Sequence, residues 1–219
     1  MKLTPVQLRV VGCLIEKELA TPDNYPLTMN SLLSACNQTT NRNPILKLDE
    51  ATVDSALRNL RADNLVRIVY SRSNRADRFR HVLNEELALE PADLALLSVL
   101  MLRGPQTSSE LRTRTERLYP FASQDEVDEA LRRLAGRSEP LVARLERRPG
   151  QKESRWAHLV GGDVAEALAG EDDDEPADPG RPARIDRLAA LEDAVAALRA
   201  DLERLEAAHQ DLAARLDEQ

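Results

Sequence analysis

One stretch of this sequence occurs twice. Val53-Asp54-Ser55-Ala56-Leu57-Arg58-Asn59-Leu60 matches Val127-Asp128-Glu129-Ala130-Leu131-Arg132-Arg133-Leu134 at six of eight positions. Arg78-Phe79-Arg80-His81-Val82 matches Arg155-Trp156-Ala157-His158-Leu159, Leu3-Thr4-Pro5 matches Leu89-Glu90-Pro91, and Thr28 and Leu32 match Thr107 and Leu111. The matches keep their order along the chain. Two look-alike helices would not do that, so a duplicated unit is expected, and the 219 residues are to be read as small domains in tandem.

Each copy reads the same way. In the first, Thr4 caps a helix that has Pro5 at its first position and Gln7 completing a capping box. Leu8, Val11, Ile15 and Leu19 form its apolar stripe at helical spacing. A breaker run from Thr21 to Pro26 precedes a second helix near Thr28, burying Met29, Leu32 and Leu33. A third helix spans about Asp49 to Asp63, with Val53, Ala56, Leu57 and Leu60 inward. Leu65–Tyr70 and Arg78–Leu83 then read as strands around a polar turn. In the second copy the first helix covers about Pro91–Arg103. Thr107-Ser108-Ser109-Glu110 and Ser123-Gln124-Asp125-Glu126 open the next two helices. Pro140–Glu146 and Arg155–Val160 flank a turn containing Arg147-Arg148-Pro149-Gly150. Three helices followed by a hairpin is the order of a winged helix, in which the middle pair is a helix-turn-helix and the hairpin is the wing. The expected fold is mainly α with small β-hairpins (α+β): tandem winged-helix domains at 1–88 and 89–160.

The offset between matched positions falls from 86 at Leu3/Leu89 to 79 at Leu32/Leu111 and 74 at Val53/Val127. The first copy therefore carries seven extra residues between its first two helices and five between its second and third, the latter in Asn37-Gln38-Thr39-Thr40-Asn41-Arg42-Asn43-Pro44. A polar loop longer than the usual three- or four-residue joint is either a functional surface or a structural spacer.

At this loop the sequence also resembles a known family. Cys13-Leu14-Ile15-Glu16-Lys17-Glu18, Thr21–Asn30 (TPDNYPLTMN), Ala35-Cys36-Asn37-Gln38 and Asn41-Arg42-Asn43-Pro44 together are similar to the YceH family of bacterial proteins. The resemblance is strongest in the first copy. It implies a tandem winged-helix fold and a bacterial cytosolic setting, and it implies no activity.

After the repeats the composition changes. Residues 161–183 hold Glu171-Asp172-Asp173-Asp174-Glu175-Pro176 and Pro179-Gly180-Arg181-Pro182, an acidic, self-repelling linker. From 184 to 219, Leu188, Leu191, Val195, Leu198, Leu202, Leu205, His209, Leu212 and Leu216 alternate spacings of three and four, which is a coiled-coil seam. An isolated helix of that length needs a partner. A homodimer is the simplest one, and folding back onto the winged domains is the alternative. In a parallel pair Asp201 would face Glu206, so an antiparallel pair stays open. His209 is a polar residue within the seam.

Charge must be read by segment. The chain carries net -8, but residues 1–89 carry +2, residues 90–160 carry +1 and residues 161–219 carry -11. The repeats are near neutral and the acidity belongs to the tail. No run of 18 apolar residues occurs and the N-terminus lacks signal-peptide character, so a cytoplasmic protein without a membrane partner is expected. Cys13 and Cys36 form no metal or disulfide pattern, and Cys13 reads as a small buried hydrophobe. There is no glycine-rich phosphate loop, no G-x-S-x-G elbow and no histidine–carboxylate cluster. Catalysis, metal and cofactor are therefore not expected.

Two functions remain. In the first, the chain binds double-stranded DNA through Ser55, Arg58, Asn59 and Arg61 on the third helix, Arg72, Arg75 and Arg78 on the wing, and Asn37, Gln38, Thr39, Thr40, Asn41 and Arg42 in the loop. In the second, the tandem repeats are a protein–protein adaptor. Against DNA stand the acids at the start of both third helices, and a pairing of Arg58 with Asp54 four residues away. The second copy starts its third helix with Asp125, Glu126, Asp128 and Glu129, so DNA contact is expected mainly from the first.

Overall fold

Thr4 begins the first helix as its sequence dictates. Its hydroxyl accepts from the Gln7 amide, and the Gln7 side chain accepts from the Thr4 amide at 2.8 Å. Helix α1 runs Pro5–Ala20, and β1 is the short strand Leu27–Thr28. Helix α2 is Met29–Cys36, capped by Thr28, and α3 is Glu50–Ala62, capped by Asp49. Strands β2 (Val66–Val69) and β3 (Arg78–His81) follow, then the five-residue helix α4 (Leu83–Leu87). The second copy supplies α5 (Pro91–Arg103), α6 (Ser108–Thr115), α7 (Gln124–Ala135), β4 (Val142–Arg144) and β5 (Trp156–His158). This computed structural model describes residues 2–70, 76–147 and 153–161, all within the first of two units, Met1–Asp173. The expected linker, the coiled-coil seam and the wing residues Arg72 and Arg75 lie outside the described residues.

The architecture is mixed α and β, about half helical, with small antiparallel sheets. Helix starts reproduce the offsets read from sequence: Pro5 and Pro91, Met29 and Ser108, Glu50 and Gln124. The sheets correspond too. In the first copy β3 lies between β1 and β2, with Phe79 opposite both Leu27 and Ile68. In the second, Trp156 opposes Arg144 and makes a single bridge to Gln106, the position matching Leu27.

Two elements escape the sequence pattern, and one boundary moves. Strand β1 and helix α4 are too short to show a period. Leu83, expected to end a strand, instead begins α4 and is wholly buried. At α7 the Ser123 hydroxyl caps Glu126 as expected, but the Glu126 carboxylate accepts from the Ala122 amide rather than closing a box.

The two copies share one core. Every residue of α5 from Ala92 to Leu102 is buried, as befits a helix apolar on all sides. It packs along α1, and the contact is closest at Gly12. A Cβ there would stand 2.9 Å from Leu102 Cγ and 3.3 Å from Met101 Cβ. The Ser98 hydroxyl donates to the Gly12 carbonyl at 3.2 Å. Because α1 lies between α5 and its own α2 and α3, it buries Arg9 through Ile15 without a break, a wider face than the stripe of Leu8, Val11, Ile15 and Leu19.

Candidate functional site

The inserted loop is built around two buried arginines. Arg42 uses all five of its N–H groups within the protein. Its Nε donates to Ala35 O at 3.1 Å. Nη1 donates to Glu16 Oε1 at 3.0 Å and Asn41 O at 2.9 Å, and Nη2 to Glu16 Oε2 at 2.6 Å and Gln38 Oε1 at 2.9 Å. The pairing with Glu16 is the two-pronged geometry that favours arginine over lysine. Burial alone would raise the Glu16 carboxyl, but the Arg42 hydrogen bond and charge outweigh it and hold the group below its ordinary range. Arg9, on α1, donates to the carbonyls of Cys36 and Pro44, and burial lowers its guanidinium from the ordinary value.

Other loop side chains are also engaged. The Asn37 side chain both donates to and accepts from the Leu48 backbone at 2.8 Å, closing the loop on itself. Asn41 adopts the left-handed conformation at φ 62° and accepts from Arg103 of the second copy. The Asn43 amide donates to the Leu102 carbonyl at 2.8 Å. Arg42 therefore has no donor left for a phosphate, and Asn37 and Gln38 are held by protein partners. This corrects the reading of Arg42 as a DNA contact: its charge is held inside the protein by Glu16. Thr39 and Thr40 remain exposed at the tip.

Beneath the loop, Cys13 and Cys36 are both buried and their thiols adjoin. Burial would raise Cys13, yet the Cys36 hydrogen bond and the charges of Arg42 and Arg9 leave it lowered. Cys36 is raised by that same hydrogen bond and by burial.

The outer face of α3 differs from the loop. Ser55, Arg58, Asn59 and Arg61 are all exposed, while Val53, Ala56, Leu57 and Leu60 face the core. Arg58 pairs with Asp54 at 2.8 Å, as its spacing predicts. Arg78 is half-buried and donates to the Pro26 carbonyl at 2.8 Å, so it braces β3 rather than projecting from it. The fold thus brings the α3 residues onto one surface and removes Arg42 and Arg78 from it.

Beside each third helix and its strands runs an open groove. In the first copy it is lined by residues of α2, α3 and β3, among them Glu50, Asp54, Asp77 and Phe79. In the second it occupies about 730 Å³ and is lined by Ser108, Gln124, Arg132, Arg144, Arg147 and Trp156, among others. Sequence reasoning passed over Arg9, Arg132, Arg144 and Arg147. Arg9 had a signal, a lone cation inside an apolar helix. For the others the only hint was their place in the second hairpin and third helix.

His81 and His158 stand at matched ends of β3 and β5. His81 is buried with Nε2 against the Glu18 carboxylate, and its backbone amide donates to the Tyr25 hydroxyl at 2.8 Å. Burial lowers His158 to about 4. No cluster of metal-ligating side chains occurs among the described residues, and no helix among them is long and apolar enough to cross a membrane.

Compared with known proteins, residues 3–151 match a family described as protein of unknown function, DUF480. The chain is 51% identical over 199 residues to a UPF0502 protein of Geobacter sulfurreducens, covering 90% of each. It is 45% identical over 207 residues to one from Pelobacter propionicus, covering 92% of each. With one from Opitutus terrae it shares 44% over 198 residues, 90% of this chain and 83% of the relative.

Proposed function

The chain belongs to the DUF480 (UPF0502) family of bacterial proteins. We propose that it is a non-catalytic, cytoplasmic DNA-binding protein of the transcription-regulator kind, built from tandem winged-helix domains of the YceH type. The observation that carries the reading is the repeated arrangement of three helices followed by an antiparallel pair, each third helix turning a polar face outward beside its strands. Helices so placed enter the major groove of duplex DNA while the adjoining hairpin meets the backbone. Ser55, Asn59 and Arg61 are exposed for that purpose on α3, with Arg58 reachable if it leaves Asp54. The heptad seam from Leu188 to Leu216 would pair two chains on a symmetric site.

An adaptor is the second reading, favoured by Ile45 at 56% and Tyr70 at 76% exposure, large apolar side chains open to a protein partner.

A fluorescently labelled mixed-sequence duplex, titrated with the full chain and with a chain ending at residue 183, tests both parts. The full chain should bind near about 50 mM salt and weaken steeply by about 200 mM. The shortened chain should have about half the mass in solution and bind more weakly. No association at the lower salt passes the chain to the adaptor reading, and an unchanged mass removes the coiled-coil dimer.

A further inference from the structure

The two grooves occupy equivalent places, and the described residues lining them carry opposite net charge. By the register of the repeats, Met29 and Asn30 correspond to Ser108 and Ser109, Glu50 to Gln124, Asp54 to Asp128, and Phe79 to Trp156. Among the described residues, every charged one lining the first groove is an acid: Glu50, Asp54 and Asp77. In the second, Glu50 is replaced by the neutral Gln124, and Arg144 stands where the first copy has Ile68 in its strand pairing. Arg132 and Arg147 join it, against Asp128 and Glu153.

The donors of the second groove are oriented and still available. Arg144 donates through Nε to Ser154 Oγ at 2.6 Å, and Arg132 through Nε to Asp128 O at 3.2 Å. Their η nitrogens have no partner among the described residues. The Gln124 side-chain nitrogen is buried and likewise lacks a hydrogen-bond partner there, a costly arrangement that an acceptor oxygen in the groove would relieve. Ser108 and Ser109 bring the N-terminal turn of α6 to the same wall, where the helix dipole favours an anion. Three guanidinium groups from α7, β4 and the turn after it, an amide donor and two hydroxyls suit a run of phosphodiester oxygens.

We infer that the groove between α6, α7 and the β4–β5 pair holds the phosphate backbone of duplex DNA. This rests on the DNA-binding reading above and moves its main backbone contact from the first copy to the second. Acids at the start of α7 hide this in the sequence, because two of the three arginines, Arg144 and Arg147, come from beyond the helix.

Trp156 is the chain's single tryptophan and lines this groove, so it is a built-in reporter. The full chain is titrated with a labelled duplex, following label anisotropy and tryptophan emission together. The wild type should show both signals saturating at one concentration. R144A/R147A, checked for unchanged circular dichroism, should bind at least about tenfold more weakly, with a salt slope shallower by about 2 for the two lost phosphate contacts. If the wild type binds but R144A/R147A keeps its affinity and salt slope, the groove assignment is overturned and DNA binding stands. If the wild type gives no anisotropy change, the DNA-binding reading itself has failed.

Discussion

Arg42 stands in a polar loop where a phosphate contact is expected, yet its charge is held between α1 and the end of α2 by Glu16. Removing one partner of a buried ion pair leaves the other charge uncompensated, which costs more than the pair's net contribution. Arg42→Ala should therefore lower unfolding stability in urea by about 3–5 kcal/mol, whereas a loss under about 1 kcal/mol is what an exposed arginine would give. Arg58 shows the contrast: its partner Asp54 lies one helical turn away, so its pairing was legible from spacing alone. The partners of Arg42 include a residue 26 positions away, and no local pattern reveals which donors of a loop are already engaged. His158 gives the residue scale its pH signature. Its folded form prefers the neutral ring, with a value lowered to about 4 by burial from an ordinary 6.5. The unfolded chain takes up that proton first, so stability is complete above the ordinary value and falls as pH drops toward about 4. In urea denaturation at a series of pH values, the wild type should lose about 3 kcal/mol across this window relative to His158→Gln. Parallel profiles for the two proteins would show that His158 is not the source.

Among the elements, α1 and α5 decide how the copies combine. Gly12 lets the helices approach where a side chain would press on Leu102 and Met101. Gly12→Leu inserts a branched group into that contact and should destabilise by about 1–3 kcal/mol. Gly12→Ala should cost less, because the end of Leu102 can turn and alanine favours the helix by about 1 kcal/mol. Thermal unfolding of the two variants checks this; a Gly12→Leu protein melting with the wild type would mean the contact is loose. The elements with strong local signals were legible in sequence: the Thr4 and Thr107 capping boxes, the start of α3 at Asp49, and the span of α5. What was not legible follows from tertiary contact. The apolar face of α1 broadens because a second helix covers its other side, and the two residues of β1 form a strand only because β3 pairs with them.

At the scale of the whole molecule, the two copies have matching frames and different surfaces. The first copy carries the inserted loop, tied to α5 through Asn41 and Asn43, and the described residues lining its groove are acidic where charged. The second has the shorter joint and the arginine-lined groove. Net charge of the chain is a poor guide here, since -11 of it belongs to residues 161–219 while residues 90–160 carry +1. The repeat, and so the fold class, was legible from matched landmarks; which copy carries the cationic groove was not, because Arg132, Arg144 and Arg147 come together only when the hairpin folds beside α7. The most direct measurement is a map of backbone amide shifts by nuclear magnetic resonance on adding a duplex to the full chain at low salt. Shifts should centre on Ser55 to Arg61 of α3 and on Ser108, Arg132, Arg144 and Arg147 of the second groove, with Asn37 and Arg42 unmoved. Shifts centred on the 37–44 loop, with both third helices silent, would contradict it.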